Sequence, residues 1–254
     1  SQLFDSEVCN IIFDGGPTCG NLRWSIDELE NSGEWFFSAI GISCQSAPGI
    51  KPEQSAHQLY LCSPSNPGEA WSSIECALWG VRRLVRGKHH VVIEDLSFEN
   101  SGVAGYQDVH PVDVTIRNCA FRFIGGGVWS LEHRVRFGNA VELWDGAQDV
   151  TVEGCLFDNI YDAGVTHQGG ETRNIPERVF FRDNLFIDCG LSAYECREPS
   201  REIYFEYNTC INSGGGFSMQ GEKPPRRSEI FTVVDEESEP VLVRLDDMPT
   251  HKGD

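Results

Sequence analysis

The sequence predicts an all-β solenoid in which short parallel strands stack coil upon coil, and three observations carry this prediction. One segment of about a dozen residues recurs five times, which is typical of repeat architectures. Within each copy, apolar and polar residues alternate with a period of two, as in a strand with one buried face. The connections between copies are rich in glycine and polar residues and show no helical apolar period, so a parallel sheet with crossover helices is excluded. The copies start at Val91, Val114, Val150, Val179 and Ile203.

Equivalent positions of the five copies form columns of similar side chains. Since stacked strands lie about 4.8 Å apart, each column becomes a ladder along the solenoid. One column predicts a ladder of stacked aromatic rings, and another places two asparagines at a bend, where they hydrogen-bond to the backbone and to each other. Cys119 and Cys155 share the asparagine column, and we expect them to be reduced core residues. The aromatic column contains Phe98, Phe121, Phe157 and Phe186, followed by Cys210, and the bend column contains Leu96, Cys119, Cys155, Asn184 and Asn208.

The repeat resembles that of the right-handed parallel β-helix repeat family, the pectate-lyase-like superfamily of carbohydrate-active proteins. The resemblance covers about residues 88–222, and residues 33–37 and 59–64 are similar to a hairpin that precedes the first coils in some members. It implies a right-handed parallel β-helix, a polysaccharide or oligosaccharide partner and a secreted, extracellular or periplasmic location. Because this fold hosts lyases, hydrolases, epimerases and adhesins, the resemblance does not fix an activity.

The order of segments predicts three regions. Residues 1–87 are expected to form lead-in strands and a capping helix over residues 72–85, where apolar residues follow a helical spacing. Residues 88–222 form the coils. Residues 223–254 form an acidic cap or tail, with two short strands at 231–234 and 241–245.

Composition restricts the function. The chain has 254 residues and a formal charge of −19, which argues against a nucleic-acid partner, and it has no apolar run long enough for a membrane span. Ten cysteines without a CxxC pair make a structural zinc site improbable, and no cofactor is expected. Disulfides remain open between Cys9 and Cys19 and among Cys44, Cys62 and Cys76, and the oligomeric state is not indicated.

A second strand in each coil predicts a polar surface. With the apolar residues pointing inward, two outward columns follow, and they combine carboxylates, amides, hydroxyls, an arginine and an indole. Such groups bind sugar hydroxyls and stack on sugar rings, although a polar stripe is also the ordinary solvated side of a solenoid. His167 falls on the inward row; we weigh it as a substrate-binding residue against a simpler core role. The outward columns are Glu142, Thr166, Glu195 and Ser218, and Trp144, Gln168, Arg197 and Gln220.

Glu142 and Glu195 are the candidate catalytic pair. Two coil steps separate their backbones by about 9.5 Å. Inverting glycosidases hold their carboxylates roughly 6.5–9.5 Å apart, so the spacing favours an inverting glycoside hydrolase with one Glu as acid and the other as base.

Two alternatives stay open. A polysaccharide lyase would use Arg197 with Arg136 or Arg173, but no lysine lies between residues 88 and 223 to serve as its base. A non-catalytic glycan-binding or structural solenoid is the other alternative. Asp145, Asp158 and Asp162 lie near coil corners and could bind Ca²⁺, but their spacing does not support a calcium loop, so no metal site is predicted.

Overall fold

The computed structural model describes an all-β chain with two short helical segments. The described residues are 2–3, 6–16, 18–40, 57–79, 83–87, 89–168, 174–196, 199–214, 230–233 and 241–244. A 3₁₀ turn spans Ile26–Glu28 and helix α1 spans Pro67–Ala70. The N-terminal strands are β1 (Gln2–Leu3), β2 (Val8–Phe13), β3 (Thr18–Cys19), β4 (Asn21–Leu22), β5 (Glu34–Phe37), β6 (Gln58–Leu61) and β7 (Ile74–Leu78).

From residue 83 onward, the chain builds three five-stranded parallel sheets. Sheet I contains β9, β12, β17, β20 and β23, sheet II contains β10, β13, β18, β21 and β24, and sheet III contains β8, β11, β16, β19 and β22. Their ranges, with those of an inserted antiparallel pair β14–β15, are β8 (Arg83–Arg86), β9 (Val91–Glu94), β10 (Ser97–Glu99), β11 (Ala104–Val109), β12 (Val112–Arg117), β13 (Ala120–Ile124), β14 (Gly127–Ser130), β15 (Val135–Phe137), β16 (Val141–Trp144), β17 (Gln148–Glu153), β18 (Leu156–Ile160), β19 (Ala163–Gln168), β20 (Glu177–Arg182), β21 (Leu185–Cys189), β22 (Ser192–Cys196), β23 (Arg201–Glu206) and β24 (Thr209–Ile211). The chain visits sheets III, I and II in that order, coil after coil, which is compatible with the predicted parallel β-helix.

The predicted register of the repeats is confirmed. In sheet I, each copy pairs in parallel with the next at the positions that the sequence aligned. The hydrogen-bonded column runs Val91, Val114, Val150, Val179, Ile203. A column of buried apolar residues at every coil fixes this register, because a slip by one residue would turn all of them toward the outer face.

The aromatic ladder is confirmed in sheet II. Successive ring centroids from Phe98 to Phe121, Phe157 and Phe186 lie 4.8, 5.0 and 4.6 Å apart, and the planes of the pairs are close to parallel. The three inner rings are fully buried. Their spacing equals the strand spacing, so the ladder fills the core without interrupting the backbone hydrogen bonds.

The bend between sheets I and II uses cysteine and asparagine for the same purpose. Asn208 Oδ1 accepts from the backbone N–H of Asn184 at 2.9 Å, and Asn184 Oδ1 accepts from that of Cys155 at 2.9 Å. Cys155 Sγ then accepts from the backbone N–H of Cys119 at 3.4 Å. Cys119 and Cys155 are both free thiols, as predicted, and burial raises the pKa of Cys155 to about 12. The two cysteines therefore satisfy backbone groups as well as filling space.

The N-terminal region contains one confirmed and one wrong prediction. Strands β5 and β6 pair antiparallel, which confirms the lead-in hairpin. The helix over residues 72–85 is wrong: β7 pairs antiparallel with β2, and β8 is the first strand of sheet III. The periodicity of a short apolar run does not by itself distinguish a helix from a strand. Here the pairing of β7 with β2 decides for a strand.

The N-terminal sheet of β3, β2 and β7 packs against the coils through Phe123. This residue, near the end of β13, has a φ of 51°, and the equivalent residues of other coils are asparagine or aspartate. A bulky side chain is rare in this left-handed conformation. The ring of Phe123 packs in one cluster with Ile12 and Ala77, so contact with the N-terminal sheet compensates for the strained backbone.

The remaining sequence predictions concern cysteines and the C-terminal strands. Cys9, Cys19, Cys62 and Cys76 are free thiols, so no disulfide links them, and Cys44 lies outside the described residues. The two C-terminal strands are confirmed as β25 (Ile230–Val233) and β26 (Val241–Arg244), which pair antiparallel. Their expected role as a cap stays a prediction.

Candidate functional site

The outer face of sheet III contains the candidate residues. Its strands pair so that Gln107, Glu142, Thr166 and Glu195 form one row across β11, β16, β19 and β22. The residues before them in each strand are Tyr106, Val141, Val165 and Tyr194, which pack in the main core. Because side chains alternate along a strand, the row of polar residues points away from that core, as predicted.

The polar row is not an ordinary solvated side of the solenoid. Glu142 and Glu195 are each only 2% exposed, and Thr166 and Gln168 are buried as well. Strand β19 is buried at all six of its positions. The middle of sheet III is therefore buried on both faces, and the polar row lies in a layer that is shielded from solvent.

Glu142 is held by amide groups. Its carboxylate accepts from Asn139 Nδ2 at 3.1 Å, from Gln168 Nε2 at 3.3 Å and from Gln107 Nε2. Asn139 Oδ1 also accepts from the backbone N–H of Ala163 at 2.9 Å. A buried carboxylate that accepts several hydrogen bonds is stabilised as an anion. These contacts fix the position of Glu142.

Glu195 lies on the same row with a different neighbour. Thr166 stands between the two glutamates in the row and donates its hydroxyl to Glu195 Oε2 at 3.4 Å. One strand thus separates the two carboxylates, and two strand spacings place their backbones about 9.6 Å apart. The register that led to the candidate pair is present.

His167 points into the core, as alternation predicts. Its Nε2 lies 2.6 Å from Tyr194 Oη, and both residues are packed beneath sheet III. Burial raises the pKa of the Tyr194 hydroxyl above its ordinary value. His167 therefore lies on the opposite face of the sheet from Glu142 and Glu195, and it is not brought into the row.

The second outward column is described only in part. Trp144 and Gln168 are neighbours on β16 and β19, and Gln168 contributes its amide to Glu142. The indole Nε1 of Trp144 is buried and has no hydrogen-bond partner among the residues that the structure describes. Arg197, Ser218 and Gln220 lie outside the described residues.

Two of the three aspartates considered for Ca²⁺, Asp145 and Asp158, are engaged with basic or amide groups. Asp145 Oδ2 lies 2.8 Å from His110 Nε2. Asp158 accepts from Asn159 Nδ2 at 2.7 Å and lies 3.7 Å from Arg122 Nε. Within the described part of the chain, no group of three or more His, Cys, Asp or Glu side chains is arranged to hold a metal ion.

Arg136, one arginine considered for a lyase, serves the N-terminal sheet instead. Its guanidinium donates to the carbonyls of Gly126 and Cys9 at 2.8 and 2.7 Å and lies over the ring of Tyr161 at 4.5 Å. A cation held in this way is not placed to neutralise a uronate carboxylate on sheet III. Arg173, the other arginine, lies outside the described residues.

Sequence reasoning missed three polar residues of the site. Gln107 lies on β11 and pairs with Glu142 in the same row. The sequence of β11, AGYQDV, does not alternate between apolar and polar residues as clearly as that of β16. Asn139 precedes β16, and Arg83 donates to Gln107 Oε1 at 2.7 Å from β8. The available signal was the repeat itself: extending the columns of sheet III by two coils toward the N-terminus would have found Gln107 and β8.

Comparisons with known proteins give no relative whose site could be compared with this one. No family model matches the chain, and neither a curated protein nor a solved structure matches it. Among the described residues, no helix has the length and apolar character needed to cross a bilayer.

Proposed function

We propose that the chain is a right-handed parallel β-helix of the pectate-lyase-like class, and that it hydrolyses a polysaccharide at the outer face of sheet III. The observation that carries the proposal is the placement of Glu142 and Glu195 on one row, separated by one strand. A separation of about 9.6 Å between backbones leaves room for a water between the carboxyl groups, as the inverting geometry requires.

The different surroundings of the two glutamates assign their roles. Three amide donors stabilise Glu142 as an anion, which suits the general base that removes a proton from the attacking water. Glu195, which accepts a hydrogen bond from the Thr166 hydroxyl at 3.4 Å, then acts as the general acid. It protonates the glycosidic oxygen as the bond from the anomeric carbon to that oxygen breaks, and the water oxygen completes the new hemiacetal with inverted configuration.

Burial of both carboxylates supports this chemistry. Hydrogen bonds and charges act more strongly where bulk water is excluded. Trp144 lies two residues after Glu142 on β16 and therefore on the same face of the sheet. Its buried indole N–H has no partner among the described residues, so Trp144 supplies an apolar ring and a hydrogen-bond donor for a sugar unit.

The experiment is a panel of neutral and acidic polysaccharides incubated with the chain and with Glu142→Gln and Glu195→Gln. We expect new reducing ends without the ultraviolet absorbance of an unsaturated product, and a first product of inverted anomeric configuration by NMR. Each substitution should lower the rate by roughly 10²–10⁴-fold, the usual contribution of general acid or base catalysis. Glu153→Gln is the matched control because Glu153 lies on sheet I in a half-buried pair with Arg182.

Two results would contradict the proposal. If both glutamine variants keep the parent rate, the pair is not catalytic. If reducing ends appear together with an unsaturated product, the reaction is elimination and the protein is a lyase.

A non-catalytic solenoid is the second candidate, favoured by the burial of both glutamates. In that case the amide network around Glu142 serves only to satisfy a buried polar layer. Binding of a polysaccharide without any cleavage across the panel would identify this function.

A further inference from the structure

Among the described residues, the last coil of the stack has apolar side chains that are exposed at its open end. Phe205 on β23 is 36% exposed, whereas Phe181, its partner one coil earlier, is fully buried. Cys210 occupies the end of the aromatic column next to buried Phe186, and it is exposed as well. Side chains that are interior in every earlier coil therefore face solvent at this end.

The opposite end of the stack differs. Phe98, the first ring of the same aromatic column, is buried although it also belongs to a terminal strand. The two ends of one ladder thus have unequal cover. Within this column, exposure is therefore found at the last coil and not at the first.

The last coil also ends all three sheets. Strands β22, β23 and β24 are each paired on one side only within the described sheets. Free strand edges beside exposed apolar side chains are a site of association, and natural proteins cover them. Solenoids require such a cover at their ends.

The hairpin of β25 and β26 follows the last coil in the sequence and needs a surface to pack against. Its strands pair only with each other among the described residues, from Ile230 with Arg244 to Val233 with Val241. A two-stranded hairpin is marginally stable in water unless it packs against something else. Its strand sequences, IFTV and VLVR, are largely apolar.

We propose that the β25–β26 hairpin docks on the open end of the stack and covers Phe205 and Cys210. Gly214 is the last described residue after β24 and β25 begins at Ile230, so the intervening residues, at about 3.3 Å each when extended, can span about 50 Å. Attachment to the same chain gives the hairpin a high effective concentration at this end, which favours it over a second copy or another protein.

The thiol of Cys210 reports on the docking. The full chain is pulsed with iodoacetamide, and alkylation at each cysteine is measured by peptide mapping. The test compares the parent with Val243→Pro, because Val243 pairs with Phe231 and proline breaks a hairpin strand. Val243→Thr is the matched control, since it keeps a β-branched residue at the same position.

We expect Cys210 to react about tenfold more slowly in the parent and in Val243→Thr than in Val243→Pro, because local opening must precede reaction. The protection should be the same at every protein concentration. Cys155, which lies buried inside the stack, should remain unreactive in all three chains and so shows that the coils stay folded.

Equal Cys210 rates in the parent and in Val243→Pro would overturn the proposal. Protection that rises with protein concentration would overturn it in favour of a second copy as the occupant.

Discussion

Sheets III and I present polar outer faces of opposite kinds. On sheet I, one outer row alternates in sign through Glu94, Arg117, Glu153, Arg182 and Glu206. Arg117 Nε lies 2.6 Å from Glu94, Arg182 Nε lies 3.0 Å from Glu153, and these pairs remain in contact with solvent. On sheet III, the row contains buried glutamates with amide and hydroxyl neighbours.

The difference shows that the same alternation serves two purposes. An exposed row of alternating charge is compensated by its own neighbours and by water, and each pair contributes little to stability. A buried carboxylate must have its hydrogen bonds supplied by the protein, because water no longer provides them. Burying carboxylates on sheet III costs free energy that an apolar row would not. This cost is the reason for treating sheet III, and not sheet I, as the candidate site.

The sharpest way to break this comparison is to remove one carboxylate from each face. Glu142→Ala leaves the amide donors of Gln107, Asn139 and Gln168 without their shared acceptor, and we expect the free energy of unfolding to fall by about 4 kcal/mol. Glu153→Ala, on sheet I, should lower it by less than about 1 kcal/mol. Urea denaturation followed by circular dichroism gives both values, and equal losses would show that the two faces do not differ.

The ion pair of Arg23 and Glu34 provides a second buried carboxylate, and its main partner is a charged guanidinium. Glu34 is buried, and a hydrogen bond from Arg23 at 2.6 Å, with others from residues 30 and 31, lowers its pKa from 4.5 to about 2. Since the folded-state pKa is depressed, this contribution is complete above about pH 4.5 and is lost as the pH falls toward 2. It amounts to about 3 kcal/mol at neutral pH, of which about 2 kcal/mol is gone at pH 3.

The measurement compares the parent with Glu34→Gln by urea denaturation from pH 7 to pH 3. The difference in unfolding free energy between the two should shrink by about 2 kcal/mol over this range. A difference that stays constant with pH would mean that Glu34 is not ionised differently in the folded and unfolded chains.

The smallest effect is expected from the exposed ladder itself. Arg182→Ala should lower the unfolding free energy by about 0.5 kcal/mol at low ionic strength, and 1 M salt, with a Debye length of about 3 Å, should remove most of that loss. The loss in Glu142→Ala should not depend on salt. A salt-insensitive loss for Arg182→Ala would indicate packing over Phe180 rather than charge.

Local pattern was sufficient for the repeat. The strands that start at Val91 and Val114, the phenylalanine ladder and the asparagine bend all follow from columns that must repeat at each coil. The β5–β6 hairpin was predicted as well. The helix over residues 72–85 was wrong because Ile74, Ala77 and Leu78 fit both a helical and an extended period, and the choice depends on β2, far away in the sequence.

For the candidate site, the sequence by itself determined direction, and the tertiary structure decided environment. Alternation placed Glu142 and Glu195 outward and His167 inward, since the side-chain period of a strand is a local property of the backbone. The burial of that outer row, the amide donors around Glu142 and the use of Arg136 by the N-terminal sheet depend on groups brought together from distant parts of the chain. The sequence of a strand determines which face of the sheet each side chain lies on, and only the rest of the fold determines whether that face is exposed to solvent.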